Sequence, residues 1–257
     1  MPDASHLQRD RAESFGSIAA DYDRYRPGYP AELIADLMEL LTVRAEPRVL
    51  DVGCGTGKAG RLLADRGTDV LGVEIDAQMA DVARGHGLAV EVGSFETWDD
   101  DGRTFDLVIS AQAWHWVDPA VGAPKAARLL RPGGRVALFW NFDDLLPPWQ
   151  AAVDKVYAVE APDLAQLAAH GASRRDDRPY VVDLQASGAF ASVETHTYPW
   201  ERSVPLDVWI GRCGTQSNHV LLGRPRLDRL LSALRTALVP LGDVQSRGGT
   251  YTIIARP

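Results

Sequence analysis

From residue 48 to residue 141 the chain alternates short apolar runs with longer stretches whose apolar residues recur at helical spacing. The runs are RVLDVG (48–53), DVLGVE (69–74), AVEVGS (89–94), FDLVISA (105–111) and RVALFWN (135–141). Each has the length of a strand, and near-continuous apolar character predicts strands covered on both faces. Helices are predicted between them at 58–66, 77–86 and 119–130. Asp118 caps the last of these, Pro119 occupies its first turn, and RPGG (131–134) stops it. Such alternation builds a parallel sheet with helices on either side.

Outside this core the pattern changes. YPAELIADLMELL (29–41) has the periodicity of an amphipathic helix and follows the aromatic, charged stretch FGSIAADYDRYRPGYP (15–30). Pro147 and Pro148 open another helix, and 162–182 reads as polar and irregular. VETHTYPW (193–200) and TYTIIARP (250–257) read as strands that add an antiparallel edge, with 201–242 helical and lying over the site. The chain therefore reads as one domain, 1–257, of class α/β. Its parts are an N-terminal lid and helix (1–45), a cofactor-binding core (46–142), and substrate-side helices with edge strands (143–257).

Composition narrows the partners. A hydrophobic fraction of 46% in 257 residues suffices for a sizeable core. The net charge of −8 argues against a general polyanion binder, although a local basic groove stays open, so no nucleic-acid partner is expected. Cys54 and Cys213 are the only cysteines, too few for a disulfide framework or a metal cluster. The first sixteen residues lack the apolar core of a signal peptide, and no apolar run is long enough to cross a membrane. A cytoplasmic protein, away from membranes, is the expectation.

The candidate chemistry begins at Asp51-Val52-Gly53-Cys54-Gly55-Thr56-Gly57, where a strand enters a turn with three glycines spaced two apart. Glycine lets a bound molecule approach the backbone closely, and Cys54 reads as a small filler within the turn. Glu74 ends the next apolar run. Strand, glycine turn, helix and a following acid form a nucleoside-binding layout. A dinucleotide site carries G-x-G-x-x-G with a helix N-terminus holding a pyrophosphate. Here Asp51 would repel a pyrophosphate but suit an ammonium or sulfonium. The charge favours S-adenosylmethionine over NAD.

VLDVGCGTG (49–57) resembles the first motif of the class I S-adenosylmethionine-dependent methyltransferases. LGVEID (71–76), VEVGSFETW (90–98), FDLVISAQAWHWV (105–117) and LLRPGGRVAL (129–138) resemble the later motifs, in the family's order and spacing. The resemblance implies a Rossmann-like three-layer sandwich with a mostly parallel seven-stranded sheet, an antiparallel C-terminal edge strand and a helical cap. It also implies roles. Gly53, Gly55 and Gly57 form the turn under the methionine part, with Asp51 nearby through water. Glu74 takes both ribose hydroxyls, while Ile75 and Met79 pack on the adenine. Many relatives have an aspartate where Ser94 stands, so the adenine amino group falls to Ser94 or Glu96, with the Phe95 amide reaching a ring nitrogen. Ala111 and Gln112 lie beside the sulfonium.

Methyl transfer needs alignment, exclusion of water and, for a protonated nucleophile, a base. No metal is called for. In AWHWVDP (113–119), His115 is the candidate base, or alternatively packs on the ribose or caps Asp118. Trp114 and Trp116 wall the site or belong to the core. YDRYRPGYP (22–30) resembles the N-terminal segment of a methyltransferase group that includes trans-aconitate methyltransferases. Its aromatics, Tyr25 included, would close over a sulfonium, and Arg26 would pair with the methionine carboxylate or else with Asp23. Tyr29, Trp209 and Arg212 are the remaining substrate candidates, Arg212 favouring a carboxylate. The leading function is methyl transfer to a small molecule bearing a carboxylate or hydroxyl, in a monomer or homodimer. A cofactor-binding accessory protein without catalysis and an RNA-modifying methyltransferase are the alternatives. SAQAWHW (110–116) lacks the Asn-Pro-Pro-aromatic tetrad of base-amine methylation.

Overall fold

The computed structural model describes residues 13–41, 45–164 and 178–257. Its centre is a seven-stranded sheet in the order β3-β2-β1-β4-β5-β7-β6. The strands are β1 (Arg48–Val52), β2 (Asp69–Glu74), β3 (Ala89–Val92), β4 (Phe105–Ala111), β5 (Leu130–Leu145), β6 (Ser192–Val204) and β7 (Val244–Arg256). The first five run parallel, and β7 is antiparallel to both of its neighbours.

The two late strands do add an antiparallel edge, but the last strand in sequence is not the outermost. β7 inserts between β5 and β6. Its Thr250, Thr252, Ile253 and Ala255 are fully buried, whereas β6 is mostly exposed. A polar strand carrying Pro199, which lacks a ladder donor, suits the edge. β5 starts earlier than the apolar run suggests: its pairing with β4 jumps from Phe105↔Leu130 to Leu107↔Arg135, so RPGG loops out within it.

The helices are α1 (Ala19–Tyr25), α2 (Ala31–Glu39), α3 (Gly60–Ala64), α4 (Ala77–Gly85) and α5 (Pro119–Arg128), followed by α6 (Pro147–Glu160), α7 (Arg178–Ala186), α8 (Leu206–Gly214), α9 (Ser217–Val220) and α10 (Arg224–Leu238). Asp118 caps α5 by accepting from the Ala120 amide. Within 162–182, read as irregular, α7 begins at 178, and residues 165–177 lie outside the described residues. Leu184 of α7 is buried against the sheet, an apolar anchor that the polar surroundings obscure.

Neighbouring strand residues face opposite sides of the sheet. Val49, Leu107 and Phe139 join one apolar layer with α2, α3 and α4. Leu50, Val108 and Leu138 join the other with Trp114 and α5. A third cluster unites α6, α8 and α10 into the cap. The functional turn thus sits at the carboxyl end of β1, between β2 and β4, where open α/β sheets bind ligands.

Candidate active site

The turn after β1 is fixed from below. The Gly53 amide donates to the Val73 carbonyl at 2.8 Å, and the Gly57 amide donates to the Cys54 carbonyl at 2.9 Å. Gly55 has φ +56°, and a Cβ there would meet only the Met79 methyl, at 3.4 Å; its open side is the cavity. Gly57 faces the other way: a Cβ would lie 2.6 Å from Leu88, so this glycine serves helix packing and not the cavity lining. Cys54 is likewise buried beneath the turn, against Gly72 of β2.

Two carboxylates flank the turn. Glu74 Oε2 accepts from the Gly55 amide at 2.7 Å and Oε1 from the Asp76 amide at 3.0 Å, while the residue still lines the cavity. Burial raises its carboxyl above the ordinary range against the pull of those amides. Asp51 lies beneath the cavity and is fully buried. Its Oδ2 accepts from the Gly60 amide at 3.0 Å, and its Oδ1 has no partner among the described residues. Burial, opposed by that bond and reinforced by the Glu74 charge, pushes Asp51 up to about 7.

The cavity encloses about 250 Å³. Of the residues singled out from the sequence it brings together Arg26, Gly53, Gly55, Glu74, Ile75, Met79, Ser94, Phe95, Glu96, Ala111, Gln112, His115 and Trp116. Ser94 donates its hydroxyl to Glu96, whose other oxygen accepts from the Asp118 amide at 2.9 Å, so the two candidates act as one bonded pair. Gln112 adopts φ +62° while its amide donates to the Phe139 carbonyl at 2.9 Å. A left-handed non-glycine costs about 1 kcal/mol or more, and such strain concentrates at functional sites. The His115 ring lies against Trp116, centroids 4.6 Å apart.

The other candidates lie elsewhere. Trp114 is buried and packs on Phe95, in the core rather than the site, because its short 3-10 turn points it inward. Tyr29 meets Phe139 edge-on at 4.9 Å, under the lid. Tyr25 turns its ring onto Gly211 of α8, where a Cβ would come within 2.6 Å, and Tyr22 and Phe15 line the cavity in its place. Tyr22 has Tyr25 and Arg26 as neighbours three and four positions on, but Tyr25 and Arg26, adjacent in sequence, cannot face the same point, and the spacing alone does not say which turns in. Val52, Val73, Gly93, Ala113, Val117 and Ser217 complete the lining. Nothing in their residue type marks them; only the pleat and the turns bring them there.

Arg26 does not pair with Asp23. It donates from Nε to the Thr215 hydroxyl at 2.9 Å and from Nη2 to the Thr215 carbonyl at 2.8 Å, and sits 5.0 Å from the Tyr22 ring centre. Trp209 and Arg212 line a second cavity of about 270 Å³ between β5, α6, α8 and α9. There Arg212 is not an open anion anchor, since both terminal nitrogens donate to Asp143, at 2.8 and 2.6 Å. The same cavity holds a buried pair: His219 Nδ1 donates to the Cys213 carbonyl at 2.6 Å, leaving Nε2 to accept from Tyr157 Oη at 2.7 Å. Burial lowers His219, so the imidazole is neutral, and pushes the Cys213 thiol up to about 12. Gln216 and Asn218 face this second cavity and Ser217 the first, so segment 216–218 is the wall between them. No group of three or more metal-ligating side chains occurs among the described residues, and no helix among them is long and apolar enough to cross a membrane.

Residues 49–134 match the model of a methyltransferase domain. An uncharacterized methyltransferase of Mycobacterium tuberculosis is 36% identical over 235 residues, covering 89% of this chain and 88% of its own. The malonyl-[acyl-carrier protein] O-methyltransferase of Salmonella typhimurium is 31% identical over 57% of this chain and 61% of its own. Among solved structures, a putative type II methyltransferase from Anaeromyxobacter dehalogenans superposes with a TM-score of 0.62 at 26% identity, covering 90% of this chain and 98% of its own. Phosphoethanolamine N-methyltransferase 2 of Haemonchus contortus, with S-adenosylhomocysteine bound, shares the fold at a TM-score of 0.57 and 16% identity, covering 96% of this chain and 59% of its own.

Proposed function

The chain belongs to the class I S-adenosylmethionine-dependent methyltransferases, and we propose that it transfers the methyl group to a small molecule bearing a carboxylate or hydroxyl. The observation that carries the donor side of this reading is the pair of acids around the glycine turn. The unpartnered Oδ1 of Asp51 suits an ammonium, directly or through water. A carboxylate offers about four acceptor positions, and Glu74 has given one on each oxygen to a backbone amide. Its remaining positions suit two vicinal hydroxyls. The bonded Ser94–Glu96 pair suits an amino group, with the Phe95 amide beside it, and Ile75 and Met79 offer apolar faces. Arg26 has no carboxylate partner among the described residues and lines the same cavity, so it is the candidate for the methionine carboxylate.

The cofactor supplies a methyl group already activated on a sulfonium. The chain's own task is to align the acceptor, exclude water and remove a proton where there is one. Phe15, Tyr22 and Trp116 shield the cavity, and His115 is the base candidate on its wall. The second cavity, across segment 216–218, is the acceptor's side, with Trp209 as its apolar wall and the Tyr157–His219 pair as its polar one. A carboxylate acceptor draws support from the malonyl-carrier relative. The net charge of −8 favours a small molecule over a nucleic acid.

Calorimetry with S-adenosylhomocysteine and NAD tests the donor assignment. The former should bind and the latter should not. Glu74→Ala should weaken S-adenosylhomocysteine by about 3 kcal/mol, roughly a hundredfold in Kd, as two charge-assisted hydrogen bonds are lost. Tighter binding of NAD, or an unchanged Kd in the variant, would refute the assignment. Transfer of labelled methyl from S-adenosylmethionine to trans-aconitate or malonyl thioester, lost in His115→Ala with cofactor affinity kept, tests the acceptor class and the base.

A further inference from the structure

The segment from Phe15 to Arg26 forms the outer wall of the donor cavity through Phe15, Tyr22 and Arg26. Only Ala19 of α1 is buried, and Tyr25 packs on Gly211 of α8. Polar contacts add to that packing. The Gly16 amide donates to Asp76 Oδ2 at 2.7 Å, an approach so close that a Cβ at Gly16 would collide with that carboxylate. Arg26 donates to Thr215 at the other end. Midway, Asp23 Oδ2 lies 2.8 Å from His86 Nε2, at the end of α4, and Asp23 Oδ1 lies 3.9 Å from Lys58 Nζ.

Resting on the donor assignment above, we infer that Asp23 is the clasp that positions this lid over the bound donor, and that protonation of His86 tightens it. The Gly16 and Arg26 contacts do not change charge near neutrality; a histidine does. Neutral His86 gives Asp23 one hydrogen bond. Protonated, it gives the same bond plus an ionic attraction at a site where both side chains are mostly shielded, 33% and 21% exposed. Among the described residues the charged groups facing Asp23 are His86 from α4 and Lys58 from the turn before α3. Burial raises the Asp23 carboxyl, but the His86 bond, the nearby Thr56 hydroxyl and the Lys58 charge outweigh it and hold the group below its ordinary range. Asp23 is therefore anionic near neutrality. Tyr22, beside Asp23 in α1, and Arg26, the residue that ends the helix, bear on the cavity, so release of Asp23 frees the wall they form.

Asp23 and His86 touch no reacting atom, so their effect belongs in the rate at which donor or product leaves. The test is the dissociation rate of S-adenosylhomocysteine, measured by stopped-flow displacement at pH 6 and pH 8.5. The ratio of the release rate at pH 6 to that at pH 8.5 should be about two- to fivefold smaller in the wild type than in His86→Gln, the range of a partly exposed ion pair. His86→Lys should release it more slowly than His86→Gln at both values. Asp23→Asn should release it quickly at both. Asp51 is common to the wild type and the His86 variants, so its own titration cancels in the comparison. Equal pH responses in the wild type and His86→Gln would overturn the clasp. Absence of binding by the wild type would instead sink the donor assignment on which it rests.

Discussion

Asp51 is fully buried, with one oxygen bonded to the Gly60 amide and the other unpartnered among the described residues. Its carboxyl, pushed up to about 7 by burial, is protonated in the free protein through mildly acid pH. A raised acid stabilises the fold below its unfolded value, near 4, and loses that contribution as pH rises through the folded value. The free protein therefore loses this increment between about pH 4 and 7. An ammonium placed beside Asp51 reverses the preference by favouring the charged carboxylate. Binding of S-adenosylhomocysteine near pH 6 should then release a proton and tighten towards pH 8. Calorimetry at pH 6 in two buffers of different ionisation enthalpy measures that proton; equal heats would contradict the placement of an ammonium there. Both acids were legible in the sequence, because each ends a strand next to the glycine turn. Their contrast was not, since solvent access separates Glu74 on the cavity wall from Asp51 beneath it.

At the scale of elements, α1 and α8 meet through Arg26 and Thr215, so one guanidinium joins the donor's wall to the cap. Arg26→Ala should raise the Kd of S-adenosylhomocysteine by about tenfold to a hundredfold, the loss of a charged hydrogen-bond pair, and hydrogen exchange of residues 206–220 should quicken. Unchanged exchange would show that the cap holds without it. The aromatic stretch 15–30 announced a lid, yet not which rings face inward. Tyr25 goes to a helix contact with α8, Trp209 to the wall of the second cavity, and Trp114 to the core, since each large ring settles where its helix or turn directs it. Arg212, the sequence's carboxylate anchor, meets Asp143, a partner sixty-nine positions away that spacing along the chain does not reveal.

At the scale of the molecule, the sheet depends on its final strand. β6 pairs with β7 alone, and β7 bridges it to β5. Truncation after Gly242 should therefore expose the edge of β5, detach β6 and abolish cooperative thermal unfolding followed by circular dichroism; a retained sharp transition would refute this dependence. The alternation of apolar runs and helical spacing determined the parallel core, and the glycine turn with its two acids marked the proposed donor site. Those are local features: a strand's period, a turn's backbone and the charge beside it are written within some twenty-five residues. Only the tertiary structure decided that β7 lies inside β6, that Tyr22 and Phe15 rather than Tyr25 wall the cavity, and that Tyr157 meets His219 in a second chamber. These depend on which surfaces far apart in sequence exclude water together, and packing of that kind has no period along the chain.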